Sequence, residues 1–164
     1  MRWLGLVAMV LALAACDAQR ISELEEGVST EADVRARFGT PENIWDAPGG
    51  SRILEYNRNP AGYQNYMITV GPDGKMSALR QVLHANNFAR VQPGMMMEDV
   101  RRLLGKPMKR TPYELSREEA WDWRYREGTG PTMVFTVWFN RDLRVLRTST
   151  GPDPEAPEQR GGPK

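Results

Sequence analysis

The chain has 164 residues, with 22 basic and 21 acidic side chains, one histidine and one cysteine. That length suits one compact domain or two small repeats sharing a core. A charge near zero removes any global electrostatic case for nucleic acid, and a lone cysteine excludes disulfides and cysteine-rich metal sites.

Taken in chain order, the first feature is Arg2 followed by an uncharged apolar run, Leu4 to Ala15, ending in Leu13-Ala14-Ala15-Cys16. The run is too short to span a bilayer as a helix but suits the apolar region of a signal peptide, assigned to residues 1–15. Leu-Ala-Ala-Cys resembles the bacterial lipobox, in which the cysteine is lipidated and begins the mature chain. An ordinary secretory signal or a buried helix is the alternative. Removing Arg2 with the leader leaves bases and acids equal at 21. Helical residues are expected from about Ile21, so the linker from Cys16 reaches roughly 18 Å at most. The folded part must then work close to the membrane surface.

The next feature is a repeat. Gly27-Val28-Ser29-Thr30-Glu31-Ala32-Asp33-Val34-Arg35-Ala36-Arg37-Phe38-Gly39-Thr40-Pro41 returns, one residue shorter, as Gly94-Met95-Met96-Met97-Glu98-Asp99-Val100-Arg101-Arg102-Leu103-Leu104-Gly105-Lys106-Pro107. From Val34/Val100 onward the matching positions lie 66 apart. Each copy reads as a short amphipathic helix, Val34/Phe38 and Val100/Leu103/Leu104 forming one apolar stripe. Gly39 and Gly105 end the helices as residues able to take positive φ, and Pro41 and Pro107 prevent their resumption. Thr30 is expected to cap the first helix, with Asp33 completing a capping-box pair. The methionines before the second helix offer no such cap.

Three strands are expected after each helix: Arg52–Tyr56, Tyr66–Val70 and Met76–Leu83, then Ala120–Tyr125, Phe135–Phe139 and Leu143–Thr148. The fold class is therefore α+β, two tandem repeats of short helices on a three-stranded antiparallel sheet, spanning residues 16–86 and 87–150. Period-2 alternation puts Trp121, Trp123 and Tyr125 on a core face, with Asp122, Arg124 and Arg126 opposite. Trp138 falls on the same outer face as Arg124 and Arg126. A helix layer covers one side of a single sheet, so these three are candidate binding residues. A loop, the tail or the other repeat covering that face is the alternative. Residues 151–164, rich in Pro and Gly, read as a disordered tail.

Catalytic chemistry is not indicated. His84 stands alone at a strand end. There is no histidine–carboxylate cluster with metal spacing, no Gly-x-Ser-x-Gly, no Walker loop and no nucleotide-binding glycine pattern. The expectation is a protein without enzymatic activity, metal or cofactor.

A lipobox close to a Gly-x-x-x-x-(Asp/Glu)-Val-Arg helix ending in Gly-x-Pro, with an antiparallel sheet after it, resembles the SmpA/OmlA (BamE-like) family. The residues carrying this are Gly27, Val34, Phe38, Gly39 and Pro41, then Pro93, Gly94, Val100, Leu104, Gly105 and Pro107. The resemblance implies a small non-enzymatic lipoprotein of the Gram-negative outer membrane, facing the periplasm. Its implied partners are envelope proteins, including the β-barrel assembly machinery, and anionic phospholipid. The chain departs from the family in carrying two copies, an arrangement that also resembles β-lactamase inhibitory proteins. Asp17 is a second departure, since in enteric-type bacteria an aspartate there tends to keep lipoproteins in the inner membrane. Two functions follow: a lipid-anchored scaffold or assembly factor, and alternatively a periplasmic inhibitor or sensor that grips one protein on a concave double sheet.

Overall fold

The computed structural model describes residue 21 and residues 23–156. The leader, Cys16, Asp17 and the end of the tail lie outside the described residues. The elements in order are α1 (Glu31–Phe38), β1 (Asn43–Ala47), β2 (Ser51–Asn57), β3 (Asn65–Val70), β4 (Met76–Gln81), α2 (Ala85–Phe88), α3 (Met97–Leu104), β5 (Lys109–Tyr113), β6 (Glu118–Tyr125), β7 (Met133–Phe139) and β8 (Val145–Pro152). They form two four-stranded sheets, ordered β1-β2-β3-β4 and β5-β6-β7-β8.

Each sheet thus has one strand more than the three expected. The additional strands, β1 and β5, are five-residue edges paired antiparallel to β2 and β6. β5 reads Lys-Arg-Thr-Pro-Tyr, without apolar alternation and with a proline, which a sheet accepts at an edge where no ladder N–H is needed. β8 also runs to Pro152, two residues into the stretch that composition assigned to the tail, and the chain is described as far as Ala156.

The two copies make the same backbone bonds. In the first, Gly27 N–H donates to Met76 O (2.7 Å), Met76 N–H to Ser29 O (2.7 Å) and Glu31 N–H to Gly74 O (3.0 Å). In the second, Gly94 N–H donates to Val145 O (2.8 Å), Val145 N–H to Met95 O (2.9 Å) and Met97 N–H to Leu143 O (2.8 Å). The helices differ at their starts. Thr30 and Asp33 form the reciprocal capping box on α1, whereas Met96 gives α3 no side-chain cap. Both end on glycine, Gly39 at φ 84, ψ −154 and Gly105 at φ 77, ψ −169, a region essentially closed to residues with a Cβ.

By compactness the chain divides into two units. The first takes the described residues up to Tyr56 together with Met67–Arg80; the second takes Asn57–Tyr66 and the described residues from Gln81 onward. In the first, Val34 and Phe38 of α1 are buried with Leu54, Tyr56, Ile68 and Val70. The Phe38 and Tyr56 rings lie 5.0 Å apart, and Tyr56 Oη donates to Gly39 O (3.1 Å).

The second unit is the more aromatic. Phe88 stacks on Phe135 at 4.2 Å and meets Tyr125 edge-on at 4.7 Å, while Trp121 meets Phe139 at 5.1 Å. Its polar centre is the stop of α3. Buried Asn65 donates through Nδ2 to Leu104 O (2.9 Å) and Lys106 O (3.2 Å), and Lys106 N–H donates to Asn57 Oδ1 (2.9 Å). Trp123 Nε1 donates to Gly105 O (3.0 Å). Carbonyls that a helix end leaves without intrahelical partners are satisfied here by side chains from far along the chain.

Candidate functional site

Strand register decides which side chains share the outer face of the second sheet. Trp138 lies opposite Ala120 on β6 and Arg147 on β8, while Arg124 lies opposite Val134. A β-bulge between Trp138 and Phe139 shifts the pairing with β8 and brings Arg147 beside the indole. Its guanidinium sits 4.8 Å from the Trp138 ring, within cation–π range. The same guanidinium donates to both carboxylate oxygens of Glu118, at 3.1 and 2.8 Å. That fork holds the Glu118 carboxyl below its usual range and raises Arg147 above its own. The cation over the indole is thus fixed in place and stays charged at every physiological pH.

Arg124 and Arg126 share this face with Trp138 but are engaged at the opposite end of the strand. Arg124 Nε lies 2.6 Å from Asp153 Oδ2, and the Asp153 side chain is only 1 % exposed. Arg124 also donates to Pro60 O (3.2 Å) and to Glu155 (3.2 Å). Its backbone N–H donates to Asn59 Oδ1 (3.1 Å). The bond to Asp153 is the chief cause of its raised pKa. Arg126 donates to Thr132 Oγ1 (2.8 Å) and lies 4.4 Å over the Tyr63 ring. The loop before β3 and the segment after β8 therefore cover the two arginines, which serve as internal ties. The group left at the surface is exposed Arg147 with the half-buried Trp138 and Glu118. Arg147 was missed in the sequence because the bulge that aligns it with Trp138 has no signal in local alternation.

The opposite face is the core. Trp121, Trp123 and Tyr125 alternate inward with Phe135, Val137 and Phe139, and Trp123 and Phe139 are wholly buried. Among the described residues no three His, Cys, Asp or Glu converge as metal ligands, and no helix is long and apolar enough to cross a membrane. Cys16, the candidate lipidation site, lies outside the described residues.

Fold and register together describe a small α+β module with two four-stranded antiparallel sheets. Residues 81–149 match the family described as the outer membrane protein assembly factor BamE domain. That stretch covers most of the second copy and is similar to the BamE-like family; the match leaves residues 16–80 of the first copy outside it. No curated protein matches the chain. Among solved structures, a DUF4309 family protein (YjgB) from Bacillus subtilis is 20% identical, with a TM-score of 0.32, over 80% of this chain and 83% of its own. A protein from Streptococcus mutans described as a beta-lactamase inhibitor protein is 8% identical, with a TM-score of 0.32, over 75% of this chain and 82% of its own. Neither likeness is close enough to carry a functional argument.

Proposed function

We propose that the protein is a lipid-anchored, non-enzymatic scaffold of the Gram-negative outer membrane that supports assembly of β-barrel proteins or envelope integrity. The observation carrying this is the BamE-family match over residues 81–149. Cys16 is the anchor, attaching the chain to the periplasmic leaflet, where several acyl chains give durable attachment. Trp138 with Arg147 and Glu118 is the contact surface toward a partner, an aromatic and guanidinium pairing typical of interface hot spots. Anionic phospholipid is the second ligand class, met by arginine near the bilayer.

Affinity purification of the tagged full chain after mild detergent extraction tests the reading. Barrel-assembly subunits should co-purify, and Trp138→Ala should weaken their recovery by at least about 1 kcal/mol in binding. Recovery of one soluble periplasmic protein in their place would favour the inhibitor or sensor reading. Cys16→Ser should yield unprocessed or soluble protein on fractionation; wild-type chain in the soluble periplasmic fraction would end the lipoprotein assignment.

A further inference from the structure

The outer edge of a sheet presents N–H and C=O groups without ladder partners, and three of the four edges here are closed by an identifiable device. On β1, Asn43 Oδ1 accepts from Ile44 N–H (2.9 Å) and Asp46 adds a charge. β5 carries Lys109, Arg110 and Pro112. On β4, Glu26 Oε1 accepts from Leu79 N–H (2.9 Å). β8 is the exception.

The repeat shows what β8 lacks. Gly27 N–H bonds to Met76 O and Gly94 N–H to Val145 O, so Leu79 and Thr148, each three residues further on, are equivalent. The residue before Gly27 is Glu26, which closes the Leu79 N–H, whereas the residue before Gly94 is Pro93, which has no side-chain acceptor. Strand alternation then fixes which groups stay open. Asp153 N–H donates to Thr132 O (3.1 Å), one step beyond the Met133–Pro152 pair, so Gly151, Ser149 and Arg147 also bond toward β7 while Thr150 and Thr148 turn their N–H and C=O away from it. Both threonines are exposed, and among the described residues no backbone group bonds to these outward groups.

The spacing of these features selects the occupant. Two β8 strands laid antiparallel about Ser149 set Thr148 of each against Thr150 of the other, so that every outward N–H meets an outward C=O. The same two-fold sets Pro152, which has no N–H to place, against Leu146, which the bulge leaves without a mate on β7. Gly151 falls opposite Arg147, leaving room for its side chain, and the ladder stops at Val145, whose outward groups are already taken by Gly94 and Met95. No charge lies between Thr148 and Pro152, and threonines pair favourably across strands. A foreign strand would have to reproduce this order, whereas β8 is its own mate, as an isologous contact requires. We infer that a second copy of this chain pairs here edge to edge, joining two β5–β8 sheets into one. The ladder is main chain and makes no use of the Trp138, Arg147 and Glu118 side chains.

A ladder this short makes a weak dimer. Sedimentation equilibrium on the full chain in detergent, in a series reaching ~1 mM, should show a reversible monomer–dimer equilibrium. Thr148→Pro removes an N–H that has no bond inside the sheet, so it should raise the dissociation constant at least about tenfold with little change in melting temperature. Ser149 faces its own counterpart across the two-fold, so Ser149→Lys and Ser149→Glu should each weaken self-association, and mixing the two variants should restore it as a heterodimer. That restoration is specific to this occupant and register, since a foreign strand would answer to one sign of charge only. A chain that is monomeric throughout, a dimer indifferent to Thr148→Pro, or Lys and Glu variants that associate no better mixed than alone would overturn the proposal. So would loss of a co-purifying envelope protein on Thr148→Pro from a chain that is itself monomeric.

Discussion

Gly39 and Gly105 hold nearly the same strained backbone, yet a methyl group added at each meets different surroundings. At Gly39 nothing lies within 4 Å of the added Cβ, whereas at Gly105 it would come 2.5 Å from Asn57 Oδ1 and 3.0 Å from Asn65 Nδ2. Gly39→Ala should therefore lose only the backbone term, about 1–3 kcal/mol. Gly105→Ala should lose more, because it also disturbs the amides that satisfy the helix end. Chemical denaturation of both variants checks the order, and equal losses would mean that the Asn57 side chain moves aside freely. At the other end of α1, Asp33 accepts from Thr30 N–H (2.8 Å) and Thr30 Oγ1 (2.7 Å). The backbone bond is the main reason its carboxyl titrates below the ordinary 3.8. The stability it adds is complete above that unfolded-state value and fades as pH falls through the lower folded-state value. The stability gap between wild type and Asp33→Asn should accordingly narrow in acid, as thermal melts across pH 2–5 (about the carboxylate range) would show.

Among the elements, β6 and β7 separate stability from contact. Trp123 is wholly buried and hydrogen-bonded to Gly105 O, so Trp123→Ala should cost roughly 3–5 kcal/mol. Trp138 is half-buried on the outer face, and Trp138→Ala should cost well under that, with circular dichroism melts run beside the pull-down to compare them. An inverted order would place the contact surface in the core. The two-sidedness of these strands was legible in the sequence, because alternation at Trp121, Trp123 and Tyr125 directly encodes which face meets the helices. So were the helix stops, where glycine followed by proline leaves few alternatives. The edge strands β1 and β5 were not legible, since an edge can be short, polar and interrupted by proline. Nor was the fate of Arg124 and Arg126: alternation gives the face of a side chain but not the loop lying over it. Only long-range contacts with Asn59, Pro60, Tyr63 and Asp153 decide that these two arginines are covered.

For the molecule as a whole, one carboxylate ties the segment after β8 to the second sheet. Asp153 is nearly inaccessible, and removing it leaves Arg124, itself 16% exposed, without its closest counter-charge. A chain ending at residue 152 should be less stable than one ending at 156 by up to about 3 kcal/mol. Calorimetry on the two would check this, and equal melting temperatures would show that Glu155 and the Pro60 carbonyl are not needed to reinforce a tie that solvent can replace. Asn65 raises a matter of timing. Its carbonyl partner on Lys106 lies 41 positions later in the chain. Until that carbonyl has been delivered and folded into place, water meets the Asn65 amide. The order of emergence thus makes the second unit the last to close, and a newly made chain cannot complete it until both copies have been delivered.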